Sequence, residues 1–188
     1  MPSASSHDRP MRPATELTRQ LPLSIAGRRL LTPALSPAQY LKALVDQGEY
    51  VDALRLMAVA LLPRESVWWA CLCTRHTLGV RQPASPEEEQ ALHAAVAWIL
   101  QPDATNRDAA GQAGAAAGSK TAAGCAALAA SHGGTAEGTV DPVPPVPRMV
   151  SKLVSAAVLL AAVAGKPEDL DLNYRQFIAL GIDVDNHQ

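Results

Sequence analysis

Aromatic side chains make up only 4% of this 188-residue chain, with one phenylalanine, three tyrosines and three tryptophans. A core made of many bulky anchors is therefore excluded. Alanine supplies much of the 48% apolar content, so stability must come from close approach of small-faced helices. The three cysteines cannot all pair within one chain, which argues against a disulfide framework and for a reducing, cytoplasmic setting. There is no Lys/Arg tract and the formal net charge is −2. Such a chain has no long-range field to collect polyanions, and nucleic acid is not expected as a partner.

Residues 1–13 hold no apolar run, so no signal peptide is expected. Gly27-Arg28-Arg29-Leu30-Leu31 has the look of a twin-arginine export signal, but Thr32-Pro33 interrupts it before any sustained hydrophobic region. The longest apolar run, Leu153 to Ala164, falls short of the ~20 residues that span a bilayer. Lys152 and Lys166 bracket it. A buried core helix is expected there and no membrane association.

What is present is a succession of helix signals. Residues 1–13 read as a disordered tail, 14–182 as a single helical domain and 183–188 as a C-terminal tail. One or two short helices fit Ala14 to Leu31. Ser36-Pro37-Ala38-Gln39 has the order of a capped helix start: serine to cap, proline at the first position and glutamine to reach back. That helix runs to about Gln47, with Gly48 free to take the left-handed closing conformation. Tyr50, Leu54, Met57, Ala58 and Leu61 form the stripe of a second, antiparallel helix.

Pro63 starts a third helix that ends near Leu78. Ser85-Pro86-Glu87-Glu88 repeats the capping signature before the stripe Leu92, Ala95, Val96 and Ile99, and Asp103 or Thr105 can cap a fifth helix. Residues 109–130 are nearly all alanine, glycine, serine and threonine, and each internal glycine costs a helix about 1 kcal/mol relative to alanine. Two short, closely packed helices and a partly loose stretch both fit. The Pro142–Pro147 run reads as an extended linker lying over the surface. It feeds a helix from Arg148 to Ala164 that is apolar on all sides and so belongs at the centre. A last helix places Leu170, Tyr174, Phe177 and Ile178 on one face and closes at Gly181. The expected fold is all-α: an irregular bundle of about seven to eight helices with hairpin, solenoid-like pairing. Gly48 to Tyr50 is one residue too short for a tetratricopeptide turn, and no 34-residue period recurs.

Motifs that could carry chemistry are weak. Cys71-x-Cys73 with His76 invites a metal, but residues two apart on a helix point about 160° away from each other. No second ligand pair follows, so buried thiols are expected and no cofactor or metal. Gly114 to Thr121 resembles a phosphate-binding loop, yet Ser119 breaks the required pattern and no strand precedes it. His132-Gly133-Gly134 evokes an oxyanion loop, but no Gly-x-Ser-x-Gly nucleophile exists to use it, and a helix stop is the simpler reading. The Pro142–Pro147 run also contains two overlapping P-x-x-P patterns.

The segment Leu62 to His76 concentrates two of the three tryptophans and two of the three cysteines. Arg64, Glu65, Trp68 and Trp69 form the candidate partner-binding surface, since tryptophan and arginine are favoured at binding hot spots. Neighbouring tryptophans point about 100° apart on a helix, so one can reach a groove edge while the other enters the core. The expected function is that of a non-enzymatic accessory or co-chaperone protein that shields apolar surface on a client. A small helical enzyme using His76 and Glu65, and a structural subunit with a self-complementary apolar face, are the alternatives.

Tyr40-Leu41-Lys42-Ala43-Leu44, Gly48 to Leu54, Leu62 to Cys73, Ala156 to Ala162 and Tyr174 to Gly181 together resemble an uncharacterised bacterial family whose members occur beside genes of the contractile type VI secretion system. The resemblance spans about residues 36–182, and Pro63 to Cys73 is its most specific part. It implies an accessory role, such as helping to load or hold an effector or spike-tip protein, and it assigns no catalytic residue.

Overall fold

A computed structural model describes residues 12–80, 83–136 and 143–186. The expected N-terminal tail lies outside these residues except for Arg12 and Pro13, and so does Pro142 of the linker. Among the described residues the fold is all-α, with no strand: α1 (Ala14–Leu17), α2 (Ile25–Leu30), α3 (Pro37–Asp46), α4 (Tyr50–Ala60), α5 (Pro63–Thr77), α6 (Pro86–Leu100), α7 (Ala104–Ala117), α8 (Ala122–Ser131), α9 (Pro147–Ala164) and α10 (Leu170–Asn186), with one 3-10 turn at Pro167–Asp169.

Local chemistry sets these boundaries. Ser36 Oγ accepts from Gln39 N at 3.2 Å while Gln39 Oε1 accepts from Ser36 N at 2.9 Å, closing a reciprocal cap on α3. Ser85 and Glu88 repeat that arrangement at α6. Asp103 caps α7 by accepting from Asn106 N at 2.8 Å. Gly48 turns the chain between α3 and α4 at φ 74°, a conformation that L side chains resist.

The alanine-rich stretch resolves into two ordered helices, and the second of them is the true centre. α8 packs against α5, α6, α7 and α9 and is buried from Ala123 to Ala127 and again at Ala129 and Ala130. Its partner α7 comes close because Gly114 has no side chain: a Cβ there would lie 2.8 Å from the backbone nitrogen of Leu128.

The helix expected at the centre, α9, is instead one-faced. Val150, Val154, Ala157, Val158, Ala161 and Ala162 are buried, whereas Met149 is 40% and Val163 52% exposed. α9 also starts earlier than its apolar run, at Pro147. Among the described residues it is the one helix long and apolar enough to cross a membrane by length and composition, and 33% of that stretch is buried.

The last helix does not close at Gly181, and no separate C-terminal tail begins at residue 183, because α10 runs to Asn186. Gly181 has a different duty. A Cβ on it would stand 2.1 Å from Met57 Cε and 3.0 Å from Trp69 Nε1, so its absence lets α10 settle onto α4 and α5. Asn173 of α10 donates to Ala162 O at 3.0 Å, satisfying one of the carbonyls that α9 leaves free at its end.

Candidate functional site

The four residues that the sequence singles out for partner binding go to four different duties. Trp69 is fully buried, and its indole N–H donates to Phe177 O at 2.8 Å. It ties α5 to α10 and has no surface to offer. Glu65 Oε2 accepts from Leu62 N at 2.9 Å, capping the start of α5. Arg64 Nε donates to Ile99 O at 2.6 Å and holds the end of α6. Only Trp68, 38% exposed, offers an apolar surface to solvent.

Glu65 and His76 sit at opposite ends of α5, roughly 16 Å apart at 1.5 Å per residue, and do not converge. His76 instead meets the Phe177 ring edge-on at 5.8 Å. Burial pushes the Cys71 thiol up to about 12 and the Cys73 thiol well above its ordinary value. The thiolate that metal ligation or redox chemistry needs is disfavoured at both. Cys125 Sγ donates to Ser119 O at 3.1 Å, and burial raises its thiol as well.

The loop that looks like a phosphate cradle is the turn between α7 and α8, where Thr121 Oγ1 caps α8 by accepting from Gly124 N at 3.0 Å. His132-Gly133-Gly134 follows the end of α8 and packs on Trp98, whose indole N–H donates to Gly134 O at 2.9 Å. The described part of the proline run is stitched back to this turn: Val146 N donates to His132 O and Val143 N to Thr135 Oγ1.

A concave site lies on another side of the molecule. An open cavity of about 790 Å³ is bounded by the segment from Arg12 to Pro22, the second half of α4 with the first turn of α5, and one flank of α9. Its apolar floor includes Leu17, Leu21, Ala58, Leu61, Val150 and Leu159. Around that floor stand Arg12, Arg19, Arg55, Arg148 and Lys152, against the single carboxylate of Glu16. Among the described residues only Arg55 of these five cations pairs with a carboxylate, Asp52 at 3.4 Å. The other four are exposed.

The wall formed by residues 12–22 is pinned at both ends. Ala14 is buried near its start, with Thr18 Oγ1 donating to Ala14 O at 2.8 Å. At the far end the buried carboxylate of Asp52 accepts from Ser24 N at 2.9 Å, while Arg55 Nη1 donates to Pro22 O at 2.7 Å. Ser24 Oγ donates to Glu49 Oε2 at 2.9 Å, and Tyr40 OH donates to Gly27 O at 2.8 Å. Burial, and then the nearby charges of Asp52 and Glu49, raise the Tyr40 phenol and keep it the donor. A methyl on Gly27 would collide with Asp52.

The groove draws on stretches far apart in the chain, and for that reason sequence reasoning misses it. One local signal was available: Arg148 and Lys152 are one turn apart on a helix that contains no carboxylate at all.

Residues 40–185 match the model of a family described as a family of unknown function (DUF6931). No curated protein and no solved structure matches the chain.

Proposed function

We propose that this chain, which belongs to the family of unknown function DUF6931, is a non-enzymatic accessory protein that holds an acidic, partly apolar segment of another protein in the groove between residues 12–22, α4 and α9. One observation carries the reading: an open apolar floor bordered by five cationic side chains and one carboxylate. Unpaired cations at the rim of such a floor would steer an anionic partner and reject a cationic one, while the floor would supply the apolar burial that gives affinity. The surface proposed from sequence moves accordingly. Leu62, Pro63 and Ser66 at the start of α5 border the groove, whereas Arg64, Glu65 and Trp69 serve the fold. A client from the type VI secretion machinery, an effector or a spike-tip protein met in the cytoplasm, is the finer part of the proposal and rests on the sequence resemblance alone.

The test is site-specific photocrosslinking in the native host, with the reactive group at Ser155 in the groove, at Trp68 on α5 or at Leu172 on α10. Crosslinks at Ser155 that map to an acidic stretch of one protein support the groove. Crosslinks confined to Trp68 or Leu172 overturn it. The same adducts name the client, and one that is no component of a secretion machine removes the finer assignment alone.

A further inference from the structure

We infer that the groove reads its partner as an amphipathic α-helix carrying carboxylates on both sides of an apolar ridge, each bank of the groove reading one side. This rests on the groove being the partner site.

Three modes of peptide recognition are common, and the lining discriminates among them. Adding a strand needs a sheet edge with unpaired backbone groups, and the described residues form no strand, while α4 and α9 are helices whose backbone bonds are internal. Binding a polyproline segment needs an aromatic-lined slot, and the lining contains no phenylalanine, tyrosine or tryptophan. A helix laid in a groove needs an apolar trough between two banks, and the wall of residues 12–22 and α9 stand on either side of α4. Along α9 the lining runs from Arg148 to Leu159, roughly 16 Å or three helical turns.

The charges divide by bank. Arg12 and Arg19 belong to the wall of residues 12–22, and Arg148 and Lys152 to α9, with the apolar floor between them. Arg55 takes no side, because Pro22 O and Asp52 already occupy its guanidinium. A ligand acidic on one flank only would leave one bank unanswered. The wall also lies outside residues 40–185, the span shared with the family. The bank on α9 is therefore part of the common body, and Arg12 and Arg19 add a second reader.

The experiment uses the full-length chain and designed helical peptides with one leucine ridge. The first carries glutamate on both flanks, and two others carry lysine in place of glutamate on one flank or the other. Two charge-reversed proteins, Arg12→Glu with Arg19→Glu and Arg148→Glu with Lys152→Glu, are checked for unchanged helicity by circular dichroism. The unaltered protein should favour the doubly acidic peptide. Each reversed protein should lose about tenfold in affinity for it and regain that affinity with one singly lysine-flanked peptide, a different one for each protein.

If both reversed proteins weaken alike and neither is rescued by a single-flank swap, the two-sided reading falls while the groove stands. If only the α9 pair matters, the wall is not a reader and the inference falls in the same way. Failure of the unaltered protein to bind the doubly acidic peptide overturns the groove itself and this inference with it. Preference for anionic vesicles over every peptide does the same, in favour of a lipid surface.

Discussion

α4, α5 and α10 meet through large side chains, with Met57 and Trp69 lying against Gly181 and the rings of Tyr50 and Tyr174 5.8 Å apart. α7 and α8 meet almost backbone to backbone, through Gly114, Gly124 and a run of alanines. In the first region the contacting atoms belong to side chains, the flexible end of Met57 and the edge of the Trp69 indole. In the second they are peptide groups fixed by helix hydrogen bonds. Both exclude water, but they differ in how they give way. The difference also explains the composition: six buried aromatic residues suffice because much of the core is made by proximity rather than by bulk.

The comparison is broken most severely at its aromatic end. Trp69→Ala should cost about 3–5 kcal/mol, since it opens a cavity and leaves Phe177 O without its donor. Urea unfolding followed by circular dichroism measures it. A loss under 1 kcal/mol would mean that the region does not depend on its large anchor.

A pair of smaller changes sharpens the contrast. Gly114→Ala should destabilise by about 2 kcal/mol, because its new methyl meets the Leu128 nitrogen at 2.8 Å and the Gly124 carbonyl at 3.0 Å. Gly181→Ala meets Met57 Cε, the free end of a flexible side chain, and the edge of the Trp69 indole at 3.0 Å, which must give by a few tenths of an ångström. The gain in helix propensity offsets much of that strain, leaving a change within about 1 kcal/mol. The reverse order would show that the small-residue region is the compliant one.

The gentlest probe is pH, and it touches both regions through their thiols. Cys71 and Cys73 on α5 and Cys125 on α8 stay protonated when folded, whereas the unfolded chain titrates near the ordinary 9. Their contribution is whole below pH 9 and is lost as pH climbs toward about 12, where the folded Cys71 thiol titrates. Cys71→Ala should flatten that alkaline loss in a stability profile from pH 8 to 11. A profile as steep as the parent's would place the loss on other groups.

Much of this fold was legible because helix ends are written locally. The caps at Ser36 and Ser85, the turn at Gly48 and the start at Pro63 each depend on a few consecutive residues. Placement in the bundle was harder to read. Alanine carries no contrast between faces, so nothing in Ala122–Ser131 marks it as the centre, and the apolar circumference of α9 overstated its burial. Gly181 was misplaced for a related reason: a glycine that ends a helix and one that admits a neighbour look the same in sequence. Of the candidate surface, only Trp68 remains accessible as apolar surface, because the hydrogen bonds that consume Trp69 and Arg64 come from residues 177 and 99, beyond the reach of local reading.

The carboxylate of Asp52 also bears on where the folding unit begins. It is 1% exposed and accepts from the backbone of Ser24, well before the family match begins at residue 40. A chain trimmed to that match would keep the buried charge and discard the amide that satisfies it, a loss costing about 1–3 kcal/mol or more. A shortened chain that keeps Asp52 satisfied must therefore retain Ser24, and the stretch from Ala14, itself buried, to Tyr40 is as much a part of the folded body as the helices that follow.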